Sequence, residues 1–463
     1  MSHDKPDQAQ SIVAKIVEGT VWSSGSGVAV KIIGLLTTVT IIRILSVPEY
    51  GLYQLTLAAY GILAAFFFAG FDQVVLTDLM LAKSGGDSLR FKRLFSEFVS
   101  VKLMVGVALF LVTLLGANLA DAIYGENIAF LVRIIAFLFP IVAFERILNM
   151  LLNINLSFRA MSLFTFIGEA AKLGLVLFFT FVVGFGVQGI IFAIVGASAI
   201  ALFSFVPYGV RLYQPLAKMK ALSGRMLMSE AFFSYGKWAI GARYLNDLQR
   251  NIRPWLIKSF LPTEAVGIYA IAENLYGQAI SLVPLGTVLT PIVSQTIHER
   301  NRIKNLVYYS AKHGTIFFLI LAVLPALAVP WLVGLLFPQH INSIPLFYVI
   351  LLIMPPVGFV SVLTAVFYAQ RQQKAHFVIT LLVLLITLLV GSILVRELGV
   401  IGMAVEFTIS AYFFNILRAW YLFRINPDLR FPLLCLFKWD HKDLDFIKFM
   451  SGKVLQFLTG RKT

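Results

Sequence analysis

The sequence predicts an all-α polytopic membrane protein, with about twelve transmembrane helices in two six-helix bundles around a central cavity. Three observations predict it. Of 463 residues, 59% are hydrophobic and 13% charged, whereas soluble chains carry about 25% charged residues. Apolar runs long enough to cross a bilayer recur along the chain. Local wording also repeats across the midpoint: LSVPEYGLY (Leu45–Tyr53) returns as LPTEAVGIY (Leu261–Tyr269), and GVQGI (Gly186–Ile190) as GVIGM (Gly399–Met403). Both offsets are a little over two hundred residues. Six spans per half preserve orientation, so the repeat is parallel, about an axis along the membrane normal, and rocking of two bundles about a pathway follows.

The polar lead-in, residues 1–20, turns mildly amphipathic at Ile12, Val13, Ile16 and Val17. The first apolar run begins near Trp22 and is long enough to span by itself, unlike a cleavable signal. Runs follow at 22–45, 52–70, 98–119, 128–148, 162–183 and 187–207, then a basic linker from Arg211 to Arg225. Six more lie at 232–261, 266–293, 308–335, 344–369, 376–395 and 399–423. The expected organisation is an N-terminal lobe (1–215), a C-terminal lobe (216–425) and a basic tail (426–463), whose Leu444, Ile447, Val454, Leu455 and Leu458 among lysines read as an interfacial amphipathic helix or as a solvated tail.

Loop charge sets the orientation. Lys83, Arg90, Lys92, Arg93, Arg159, Lys218, Lys220, Arg300, Arg302, Lys304, Arg371, Lys374 and the tail fall on one side. The other side offers Glu49, Asp121, Glu126 and Glu264, with Lys258 and Arg396 its positive members. The positive-inside rule therefore places both termini in the cytoplasm. Net charge +15 reads as topogenic loops and attraction to anionic lipid, not as a nucleic-acid surface. The lone Cys435 excludes an intramolecular disulfide, the histidines show no metal spacing, and no nucleotide-binding loop is present.

Span seven, Phe232–Leu261, carries Lys237, Arg243, Asp247, Arg250, Arg253 and Lys258. Each such charge costs roughly 2.5–3.5 kcal/mol at a helix centre by insertion scales, so these side chains must face protein or a water-filled cavity. Arg243, Asp247 and Arg250 fall at i, i+4 and i+7 and share one face. The stripe is basic around one carboxylate, suited to the wall of a cavity for an anionic solute.

Three words, RILSVPEYGLYQLTLA (Arg43–Ala58), FLPTEAVGIYAIAENL (Phe260–Leu275) and PIVSQTIHERN (Pro291–Asn301), resemble the oligosaccharide flippase (Wzx-type polysaccharide transporter) family of the multidrug/oligosaccharidyl-lipid/polysaccharide exporter superfamily. The layout matches along nearly the whole chain. The chain departs from the family where an acidic residue is frequent, at Arg253, and where glycines are usual, at Lys258 and Asp72. The resemblance implies transport without covalent chemistry: export of an undecaprenyl-pyrophosphate-linked glycan across the bacterial inner membrane for O-antigen, capsule or exopolysaccharide. Membrane lipid, a polysaccharide polymerase and a chain-length regulator are the implied partners. No cofactor is implied, and coupling to a proton or sodium gradient is the implied energy source.

In the family fold the first helix of each half lines the cavity, which adds Lys31 and Arg43 in span one to Arg243, Asp247, Arg250 and Arg253 as candidate substrate-binding residues. Arginine suits bidentate phosphate contacts. The competing reading pairs Asp247 with its arginines and lets Arg43 and Arg253 snorkel to the outer interface. Candidate coupling or gating residues are Glu145 and Arg146 in span four, Glu169 and Lys172 in span five, Glu273 in span eight and Glu406 in span twelve. Glu169 and Lys172, at i and i+3, are placed to neutralise each other, whereas Glu273 and Glu406 have no sequence-local partner. A cation-coupled multidrug exporter of the same superfamily would favour acids and aromatics over this excess of intramembrane Arg and Lys. A peptidoglycan-precursor flippase stays open, its substrate also bearing a pyrophosphate. A polymerase or ligase would need a larger outer loop than this chain has.

Overall fold

The computed structural model describes residues 27–67, 69–124, 128–217, 237–281, 293 and 299–430. The expected tail helix, most of the basic linker and most of the Pro291–Asn301 word lie outside the described residues. In chain order the helices are α1 (Gly27–Ile44), α2 (Val47–Ala64), α3 (Ala69–Ser84), α4 (Ser88–Tyr124), α5 (Ile128–Ala136), α6 (Leu138–Ile154), α7 (Phe158–Leu177) and α8 (Val187–Ala217). There follow α9 (Lys237–Lys258), α10 (Thr263–Ser281), α11 (Arg300–Tyr309), α12 (Thr315–Leu336), α13 (Ser343–Leu351), α14 (Val357–Ala369), α15 (Gln373–Leu398) and α16 (Val400–Ile425). The described residues contain no strand.

Nine helical segments among the described residues are long and apolar enough to cross a membrane, and the chain is a multi-pass membrane protein. Three of the twelve expected spans are not among them, each for its own reason. Span seven is helical as α9 but too charged. Span eight is described as a helix to Ser281 and beyond that at Val293 alone. Span ten is broken between α13 and α14, where Pro355 and Pro356 supply no N–H to continue a helix. The outward faces are apolar: Leu115, Phe181, Phe203, Leu327 and Leu389 are each two-thirds or more exposed, as suits contact with acyl chains.

The repeated word is a helix start. Before α2, Ser46 donates its N–H and Oγ to the Glu49 carboxylate at 3.0 and 2.7 Å, and Pro48 occupies the first turn, where a missing N–H costs nothing. Its glycine serves packing. A Cβ on Gly51 would run into the backbone of Thr263, and one on Gly267 into the Val47 carbonyl and, at 3.2 Å, the Gly51 nitrogen. The two copies of the word thus cross backbone to backbone, each glycine against the first residue of the other helix.

The described residues fall into two compact units, one drawn from Met1–Ala279, Ala326–Leu351 and Gln373–Phe414, the other from Ile280–Pro325, Leu352–Gln372 and Asn415–Thr463. These units do not coincide with the lobes expected on either side of residue 215, because α9 packs on α2 as well as on α15. In the first unit, Val75, Leu79, Phe91, Phe95, Phe98, Met150, Leu151 and Ile240 form one core joining α3, α4, α6 and α9. Phe67, Leu109, Phe139 and Ala143 form a second. In the second unit, Gly314 packs on Gly358, Arg418 lies 5.2 Å over the Phe367 ring, and Gln370 and Asn426 exchange amide hydrogen bonds at 3.2 and 2.9 Å.

Candidate functional site

A cavity of about 730 Å³ lies within the first unit, walled mainly by α2, α9 and α10, with Thr38 and Ile41 of α1, Arg146 of α6 and Phe407 of α16. Tyr50, Tyr53, Gln54 and Tyr60 reach it from α2, and Glu273, Asn274 and Tyr276 from α10. The Tyr50 hydroxyl accepts from Gln54 Nε2 at 2.8 Å and from Asn274 Nδ2 at 2.9 Å, tying α2 to α10. At Gly61 the space a Cβ would fill is taken by the Asn251 amide, so α2 and α9 meet closely along the cavity wall.

The stripe expected on span seven lines this cavity. Arg243, Asp247 and Arg250 all face it, together with Asn251 and Pro254. Arg243 Nε lies 3.4 Å from Asp247 Oδ2, with side chains 65% and 38% exposed, so the pair contributes at most about 1 kcal/mol. Arg250 is exposed and makes no hydrogen bond or ion pair among the described residues. The wall therefore has donors to offer an anion.

Other candidates fall elsewhere. Lys31 and Arg43 are exposed on α1, outside the lining. The outer-end, snorkelling reading of Arg253 is corrected: its side chain is 5% exposed, away from the cavity lining, and Nε donates to Glu406 Oε2 at 3.1 Å. Glu406, expected to lack a partner, is the most engaged acid among them. Its Oε1 accepts from Thr387 at 2.6 Å and from Ser410, Gln249 in turn donates to Thr387 at 2.9 Å, and the Arg253 guanidinium lies 4.2 Å over Phe407. Ser410 is an i+4 neighbour on α16, but Arg253 of α9 and Thr387 of α15 lie farther along the chain, where helical spacing cannot show them. Glu169 and Lys172 pair at 2.7 Å as their spacing indicates, outside the lining. Glu145 is half-buried and does not line the cavity, whereas its neighbour Arg146 does. Arg133, without an evident local partner, donates to Asn118.

One group escaped the sequence reading. Asp72 bridges Lys102 Nζ at 2.5 Å and Arg146 Nη1 at 2.6 Å. Asp72 had stood out only as a departure from a usual glycine. The signal that would have found the cluster is the presence of Lys102 inside span three, since an ionisable residue within a span marks a functional position by default.

A family model described as polysaccharide biosynthesis protein matches residues 16–297. The teichuronic acid biosynthesis protein TuaB of Bacillus subtilis (strain 168) is 25% identical over 217 residues, 47% of this chain and 43% of that protein, so the match spans less than half of that relative. Among solved structures, a multidrug resistance MATE family transporter of the MOP superfamily in an inward-facing conformation superposes with a TM-score of 0.71 at 15% identity, over 86% of this chain and 94% of that one. The lipid II flippase MurJ in an inward closed conformation gives 0.66 at 15% identity, over 95% and 97%. At these identities the likeness is one of fold.

Proposed function

The chain belongs to the polysaccharide biosynthesis protein family, and from that premise we propose that it is a flippase moving an undecaprenyl-pyrophosphate-linked oligosaccharide from the cytoplasmic to the outer leaflet of the bacterial inner membrane. The observation that carries the proposal is the cavity wall, where Arg250 stands exposed and without an ion-pair partner among the described residues, beside the weakly paired Arg243. Guanidinium groups in a partly dry site hold phosphate oxygens by charge-assisted hydrogen bonds. Around them, Tyr50, Tyr53, Tyr60 and Tyr276 offer ring faces, and Gln54, Asn251 and Asn274 offer amides, a lining suited to sugar rings and hydroxyls. Movement is by alternating access with both termini in the cytoplasm, for O-antigen, capsule or exopolysaccharide synthesis. A polymerase and a chain-length regulator take the product onward.

Coupling to a proton or sodium gradient belongs to the same proposal, with Glu273 an acid on the cavity wall together with Asp247. Glu406 is assigned a holding role instead, because its carboxylate is filled by Arg253, Thr387 and Ser410.

The test is deletion followed by mass analysis of lipid extracts. A lipid-linked intermediate accumulates, and the wild-type chain clears it. Arg250→Ala inserts normally but loses roughly tenfold or more of the export, as expected for loss of a charge-assisted contact. Full export by that variant would sink the basic-wall mechanism, and drug sensitivity without accumulation would favour the multidrug exporter.

A further inference from the structure

We propose that Arg146 is a second anion-binding group of the cavity and that Asp72 is the internal carboxylate a substrate phosphate displaces from it. The inference rests on the reading of the cavity as a site for a pyrophosphate head group. Arg146 lines the cavity from α6, whereas Arg250 lines it from α9. Only Nη1 of the Arg146 guanidinium is hydrogen-bonded, to Asp72 Oδ2 at 2.6 Å, and the buried Nε has no hydrogen-bond partner among the described residues. A guanidinium carries five N–H donors in a fork that matches two phosphate oxygens, so most of its capacity is unspent.

What allows Asp72 to release Arg146 is Lys102. Removing one member of an isolated buried ion pair strands the other charge, which is strongly unfavourable. Asp72 has two cations. Lys102 is only 2% exposed, its Nζ sits 2.5 Å from Asp72 Oδ1, and it also donates to the Phe67 carbonyl oxygen at 2.5 Å. When Arg146 turns to a phosphate, Asp72 keeps a charged partner, and Lys102 keeps both its ion pair and the Phe67 carbonyl. The Phe67 ring, 5.5 Å from the guanidinium, gives Arg146 a face to pivot on. Of its other ionisable neighbours, Tyr60 shares the cavity lining from α2, and Glu145, at the adjacent position of α6, does not line the cavity.

The test titrates full-length protein in detergent with undecaprenyl pyrophosphate, with undecaprenol as the uncharged control. Wild type binds the pyrophosphate more tightly than the alcohol. Arg146→Gln weakens the pyrophosphate Kd roughly tenfold and leaves undecaprenol unchanged, while Arg146→Lys falls between. Asp72→Asn, nearly isosteric, tightens the pyrophosphate Kd because the competing charge is gone, and Asp72→Glu stays near wild type. A merely structural role for Asp72 would not tighten binding of an anion. If Asp72→Asn weakens binding as Arg146→Gln does, the displacement is overturned. If Arg146→Gln has no effect while Arg250→Gln weakens binding, the second anion position is overturned and the cavity reading stands. A wild type without preference for the pyrophosphate overturns the cavity reading, and this inference with it.

Discussion

Arg253→Met should destabilise the protein strongly, and Glu406→Gln in the same chain should restore much of the loss. The arginine and the glutamate are 5% and 0% exposed, and Nε and Oε2 are 3.1 Å apart. Methionine approximates the length of the arginine stem but removes its charge, so Glu406 is left ionised in a sealed pocket or must take up a proton. Breaking a buried pair from one side costs about 3–5 kcal/mol. Glu406→Gln alone strands Arg253 and should cost a similar amount. In the double variant neither member of the pair is left as a lone charge. What remains is the lost hydrogen bond and the loss of the guanidinium over Phe407 at 4.2 Å, together about 1–3 kcal/mol. Denaturant or thermal unfolding in detergent, analysed as a double-mutant cycle, reads the coupling. Single variants within about 0.5 kcal/mol of wild type, or costs that simply add, would refute the reasoning. Export in a deletion strain supplies a second readout. With Arg253 away from the cavity lining, the double variant should regain export together with stability, whereas a substrate-binding Arg253 would leave it stable and inactive.

Gly51→Ala and Gly267→Ala each push a methyl group into the backbone of the other helix and should cost about 1–3 kcal/mol in the same unfolding assay; tolerance at both positions would show that α2 and α10 do not cross there. Gly61→Ala meets first the Asn251 amide, a side chain that can move, so its smaller loss should be recovered by Asn251→Ala. Tyr50→Phe leaves Gln54 and Asn274 without their shared acceptor and should lower stability by about 1–3 kcal/mol with little change in apolar packing, as unfolding will show.

The stripe of Arg243, Asp247 and Arg250 was legible because i, i+4 and i+7 share a face in any α-helix, and the Glu169–Lys172 pair because i and i+3 are neighbours. The start of α2 was legible in its Ser46, Pro48 and Glu49, which satisfy or dispense with first-turn N–H groups without help from elsewhere. Span ten is continuous in hydropathy through Pro355 and Pro356, yet the chain cannot remain helical there and breaks between α13 and α14.

Membrane class, helix starts and the charged face of α9 are local or compositional properties, and the sequence by itself determined them. Partners were decided only by tertiary structure. Arg253 and Glu406 are 153 residues apart, and Arg146 and Asp72 are 74 apart, distances over which no helical period carries information. Arg250 and Arg253 stand within one turn of the same helix, yet the first opens on the cavity and the second is paired inside the protein. Identical side chains separate in role there because a buried charge requires a counterion, and only the packing of α15 and α16 against α9 places Glu406 within reach of one arginine and not the other.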